Sequence, residues 1–202
     1  MLRFDNREHL PDNKNDVIFI HIPKTGGTSI VKSVMDGSLT RHSSAIAYKG
    51  YDEEAFNRSY KFSVIRNPLD RSVSTYHYSK QRNKGCSVVD GSNSFKDFCE
   101  NLRDNFYGHV SPGFLPQVFW VTDEFCRVII DDIFPFDLIN ESMEYVIDKA
   151  KLNSNFAHLN KSRHKPFMDY HTDETIKILR ELYPMDFFLY ESVLDKWSKE
   201  FQ

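Results

Sequence analysis

No stretch of this sequence approaches the ~18 consecutive apolar residues that a membrane-crossing helix requires, so no such span is expected. The amino terminus, MLRFDNREHLPDNKND, is polar and lacks the apolar centre of a secretory signal. With a methionine first, the chain reads as a soluble, cytoplasmic protein. Cysteine is scarce: Cys86, Cys99 and Cys126 are an odd number with no Cys-x-x-Cys pair. That argues against a disulfide framework or a thiolate metal site, and no metal is expected. Charge excess is missing too, with 26 Lys and Arg against 29 Asp and Glu and a net charge of −3. A nucleic-acid partner is therefore not expected, because no global basic field exists to hold one. Any anion site has to be local. Repeats and interdomain linkers are also absent, so the expectation is a single domain over 1–202, with 1–15 as a loosely ordered leading segment.

Aromatic residues, by contrast, are plentiful, with 17 Phe and 10 Tyr, which suits a packed globule. The segment DVIFIHIPKTGGTS, Asp16 to Ser29, runs from a buried apolar strand straight into a polar, cationic turn. Val17 to Ile22 reads as a central parallel strand. After the glycines, Ile30, Val31 and Val34 share one helical face, ending near Gly37. A second unit, YKFSVIRNPLDRSVSTYHYSKQR, repeats the pattern. Lys61 to Ile65 is its strand, Asn67 its helix cap and Pro68 a first-turn residue. Asn83 to Ser94 reads as a surface loop and Phe95 to Arg103 as a helix. Strands are expected around Trp120 and over Val128 to Phe134. Helices are expected in DLINESMEYVIDKAKL and, opened by Thr172, in TDETIKILRELY. Strands alternating with helices predict a three-layer α/β domain, a central parallel sheet flanked by helices.

The turn PKTGGTS carries the chemistry of an anion site. A loop between a parallel strand and its helix offers unpaired amides at the positive end of the helix dipole. Gly26 and Gly27 allow close backbone approach to oxygens. Lys24 adds a point charge, and Thr25, Thr28 and Ser29 add hydroxyls. The lysine precedes the glycines, whereas the nucleoside-triphosphatase loop places it after them. In the second unit Arg66 closes the strand and can grip a phosphate with two parallel N–H bonds. Ser74 follows eight residues later, one helical turn beyond Asp70.

HIPKTGGTS resembles the 5′-phosphosulfate loop of sulfotransferases, and FSVIRNPLDRSVSTYHY resembles their 3′-phosphate motif. Both motifs bind 3′-phosphoadenosine 5′-phosphosulfate, PAPS. The chain is similar to the carbohydrate branch that includes heparan sulfate 2-O-sulfotransferase and small bacterial-type members, over about Asp16 to Tyr190. The resemblance implies a P-loop-like sulfotransferase fold and sulfuryl transfer from PAPS to an acceptor hydroxyl, on a carbohydrate, without metal. It implies that Lys24, Thr25, Gly26, Gly27, Thr28 and Ser29 hold the 5′ end, and that Arg66 and Ser74 hold the 3′ phosphate. NKSRHKP is similar to the loop that covers that phosphate in heparan sulfate sulfotransferases, which adds Ser162 and Arg163. His164 stands there in place of the usual glycine.

Sulfuryl transfer also requires a base for the acceptor hydroxyl. His42, in TRHSSAIAYKG, is the preferred candidate, and His109, in FYGHVSPG, is its rival. Lys24 is the expected stabiliser of the departing oxygen. Pro135 stands where related enzymes more often carry a basic residue. The aromatic stretch from Phe106 to Trp120 reads as core before it reads as an acceptor wall. A nucleotide kinase-like phosphoryl transferase, and a catalytically silent module that binds adenosine 3′,5′-bisphosphate (PAP), remain the alternatives.

Overall fold

Three short apolar strands lie side by side, all parallel, in the computed structural model, which describes residues 16–35, 42–82, 87–106, 111–157 and 165–202. The leading segment 1–15 lies outside the described residues. Strand β1 (Val17–Ile20) runs through a polar loop into α1 (Gly27–Ser33). Helices α2 (Ala45–Tyr51) and α3 (Glu53–Arg58) return the chain to β2 (Tyr60–Ile65), which feeds α4 (Pro68–Arg82). Then come α5 (Ser87–Asp90), α6 (Phe95–Asn105), α7 (Val118–Val121) and β3 (Asp132–Pro135). A 3₁₀ turn at Phe136–Leu138 opens α8 (Ile139–Lys149). Another at Phe167–Tyr170 precedes α9 (Asp173–Leu182) and α10 (Pro184–Glu200). The result is an α/β fold, a parallel sheet flanked by helices.

The sheet order is β1-β2-β3, so the central place belongs to β2 and not, as expected, to the first strand. All four β1 residues are nonetheless buried. Ile20 pairs with Ser63, whose hydroxyl donates to the Ile20 carbonyl at 2.8 Å. Because the strands are parallel and in this register, the loops that leave β1 and β2 emerge side by side. A crevice beyond the carboxyl ends of parallel strands is where open α/β sheets bind ligands.

Local signals explain most elements. The Asn67 side chain accepts from the Leu69 amide at 2.9 Å, and Pro68 opens α4, as expected. Thr172 and Thr175 form a reciprocal capping box on α9. Ser44 and Asp52 cap α2 and α3, two helices the sequence reading did not name. Trp120 lies in a helix, not the expected strand. The Asp186 carboxylate accepts from the Gln117 and Val118 amides at 2.7 and 3.0 Å and so caps α7 from 68 or more positions away. Of Val128 to Phe134, the strand takes only the end, and Val128 makes an isolated antiparallel bridge to Thr122.

The core is aromatic. Phe19 stacks on Phe62 across β1 and β2, and Phe134 of β3 meets Trp197 of α10 with ring centroids 4.5 Å apart. Trp197 also donates its indole N–H to the Ile133 carbonyl at 2.6 Å, which fixes α10 on the sheet. Burying one such ring contributes roughly 1.5–3 kcal/mol. A second cluster, with Val73, Phe98, Leu102 and Leu179, binds α4 to α6 and α9. Of the middle aromatic segment, Phe114 and Trp120 are buried in the core as expected, whereas Phe119 is exposed. Cys99 and Cys126 are free thiols, and burial pushes Cys99 up to about 12. Among the described residues no helix is long and apolar enough to cross a membrane.

Candidate active site

The loop after β1 is shaped by its backbone. Lys24 has φ 74° and Gly26 φ 82°, both left-handed. Glycine takes that conformation without penalty, whereas lysine does not. A Cβ on Gly26 would also lie 2.9 Å from both Phe136 and Ile139. At Gly27 a Cβ would fall 2.0 Å from the His21 imidazole. Protein side chains thus require glycine at both positions, whatever else the loop contacts.

Lys24, Gly26, Gly27, Thr28 and Ser29 line a cavity of about 740 Å³, within the ~300–1,000 Å³ usual for ligand pockets. Thr28 is exposed, while Ser29 is buried. Thr25 departs from expectation. Its side chain is wholly buried and its hydroxyl donates to the Ile22 carbonyl at 2.9 Å, so it braces the loop from within.

Arg66 and Ser74 line the same cavity. The Arg66 guanidinium faces the loop, with Nη1 donating to the Lys24 carbonyl at 3.2 Å. Its plane rests on the Phe136 ring at 4.5 Å, which gives the residue after Pro135 a place in the site. The two parallel N–H bonds expected for a phosphate go instead to Asp70. Nε donates to Oδ2 at 2.6 Å and Nη2 to Oδ1 at 2.8 Å. Asp70 is four residues on, one turn into α4, and so directly in reach.

His42 is exposed at the cavity edge, with Nδ1 2.8 Å from the His21 carbonyl. A carbonyl only accepts, so Nδ1 carries the proton and the neutral ring keeps its lone pair on Nε2. The His21 ring lies 4.3 Å from that of His42, centroid to centroid. Lys165 and Phe167 complete the far rim. Ser162, Arg163 and the rival base His109 lie outside the described residues.

Sequence reasoning missed the frame beneath the site. Arg71 is almost fully buried and donates through Nε to the Pro23 carbonyl at 3.1 Å and through Nη1 to Leu115 at 3.0 Å. Burial lowers its pKa, opposed by the nearby Asp186, whose own carboxyl burial pushes up. Gln117, fully buried, pairs reciprocally with the Arg66 backbone, accepting its N–H at 2.9 Å and donating to its carbonyl at 2.8 Å. An arginine three residues after Pro68 and directly after Asp70 carried no local signal for these roles. Tyr78 was also missed, and its ring meets the Lys24 ammonium.

Comparison with curated proteins and with solved structures finds no match. The model of the Sulfotransferase family matches residues 8–191, nearly the whole chain. With that match over the strand, loop and second unit described above, the chain belongs to the sulfotransferase family.

Proposed function

We propose that this sulfotransferase draws its sulfuryl group from PAPS and delivers it to an acceptor hydroxyl, on a carbohydrate, by in-line displacement. The observation that carries the reading is the single cavity joining Lys24 and Ser29 of the first unit to Arg66 and Ser74 of the second. Cations and hydroxyls at both places suit a nucleotide with an anionic group at each end of its sugar. When bound, PAPS supplies an activated sulfuryl group and departs as PAP.

Lys24 and the loop amides meet the charge that develops on the departing oxygen, a contribution typically worth ~10²–10³ in rate. Ser29 and Thr28 donate hydroxyls beside it, and Ser74 and the outer edge of Arg66 meet the 3′ phosphate. His42, its proton fixed on Nδ1 by the His21 carbonyl, takes the acceptor proton on Nε2. The NKSRHKP loop, with Ser162 and Arg163, adds further cover for that phosphate on the strength of the resemblance alone.

Thermal melts test the reading. PAP without magnesium is expected to raise the melting temperature, as any ligand that binds only the folded state does. Stabilisation by ATP with magnesium, and not by PAP, would instead identify a phosphoryl transferase. Transfer of radiolabelled sulfate from PAPS to a panel of glycans then separates the enzyme from a silent PAP-binding module.

A further inference from the structure

Arg66 is the principal 3′-phosphate contact in the reading above, yet its most favourable edge already holds an acid. Asp70 closes the Nε–Nη2 fork with two short bonds, and the two side chains are only 8% and 16% exposed. With Nη1 also bound to the Lys24 carbonyl, three of the five guanidinium N–H groups are committed within the protein. Asp70 is one of several groups that hold Arg66 in place. The Lys24 carbonyl and the Phe136 ring contact its guanidinium too, and the Gln117 side chain holds its backbone. Asp70 also lines the cavity beside Ser74, so its charge faces whatever anion sits there.

We infer that Asp70 is an affinity-limiting counter-charge. It occupies the bidentate face of Arg66 and repels a 3′-phosphate dianion, so the site holds the bisphosphate product less tightly than its arginine alone would. The inference rests on the assignment of Arg66 to the 3′ phosphate. Its consequence in turnover is a product that leaves rather than one that accumulates on the protein.

Titration calorimetry with PAP and with adenosine 5′-monophosphate, which lacks the 3′ group, tests it on the wild type and on Asp70→Asn. Asparagine keeps the shape and one acceptor while removing the charge. The expected result is a fall of about tenfold in the PAP dissociation constant, with adenosine 5′-monophosphate changed by less than about twofold. Should Asp70→Asn fail to fold, as judged by circular dichroism, Asp70→Ala is read the same way. Unchanged or weaker PAP binding in a folded variant overturns the inference, as does an equal shift for both nucleotides. A wild type that binds no PAP removes the nucleotide reading itself, and this inference with it.

Discussion

The ammonium of Lys24 stands 3.8 Å from the centroid of the Tyr78 ring, face on. Lys24 sits on a left-handed backbone and Tyr78 on α4, so the contact joins the two units across the cavity. A cation over an aromatic face is worth about 0.5–1 kcal/mol when partly exposed, enough to bias where a long flexible side chain rests.

Lys24→Ala is expected to lower turnover ~10²–10³-fold while weakening PAP binding far less. Tyr78→Leu is expected to lower turnover about threefold to tenfold, with Tyr78→Phe restoring it, because the ring face and not the hydroxyl meets the ammonium. Steady-state kinetics at saturating PAPS, with PAP affinity measured separately, check both. Equal losses in rate and affinity for Lys24→Ala would contradict its assignment.

His42→Ala is expected to reduce turnover by ~10²–10⁴ and to leave PAP affinity nearly unchanged. The same substitution at His109 is the control. A loss of turnover confined to His109→Ala would transfer the base to that residue.

Gly27→Ala is expected to destabilise the fold by about 1–3 kcal/mol, although alanine is the better helix former. The added methyl collides with the His21 ring, whose Nε2 would lie 2.0 Å away. The double variant His21→Ala, Gly27→Ala is expected to recover much of that loss in urea unfolding, which places the penalty in the collision and not in the backbone.

Arg71→Met is expected to cost about 3–5 kcal/mol. It strips the Pro23 and Leu115 carbonyls of their donors and leaves Asp186 buried with less compensating charge. Chemical denaturation measures the loss, and the melting-point gain from PAP is expected to shrink with it.

Burial holds the His171 imidazole below its ordinary value, against the opposing pull of the Leu69 carbonyl and Asp70. The unfolded chain therefore takes up a proton first as acid is added. Its contribution to stability is complete above pH ~6.5 and is lost as pH falls from there through the lowered native value. Unfolding free energies between pH 7.5 and 5 should decline less steeply in His171→Gln than in the wild type; parallel curves would remove the assignment.

What was readable in the sequence was what neighbouring residues decide. The apolar run into PKTGGTS, the Asn67-Pro68 start of α4 and the Thr172 cap of α9 are all set within a few positions. What escaped is set by partners far along the chain. VFWV reads as a strand by side-chain preference, but the Asp186 carboxylate caps it as α7. Helix α10 opens after Tyr183, which makes no side-chain cap, so only Pro184 marks its start. In the site, Lys24, Ser29, Arg66 and Ser74 could be named because each lies in a short motif. The inward turn of the Thr25 hydroxyl was not legible, because the direction of a hydroxyl is not written in its spacing. Asp70 was visible, but its grip on Arg66 was not.

The arginines of the second unit leave a mark on the first that outlasts any single contact. Neighbouring peptide groups at Pro23 and Lys24 each give their oxygen to a guanidinium, one from Arg71 and one from Arg66. A trans peptide carries its hydrogen opposite its oxygen, so the amide directions of Lys24 and Thr25 are decided before any ligand arrives. Any ligand that enters the crevice meets peptide groups already held by hydrogen bonds, so less of their ordering entropy is lost at encounter.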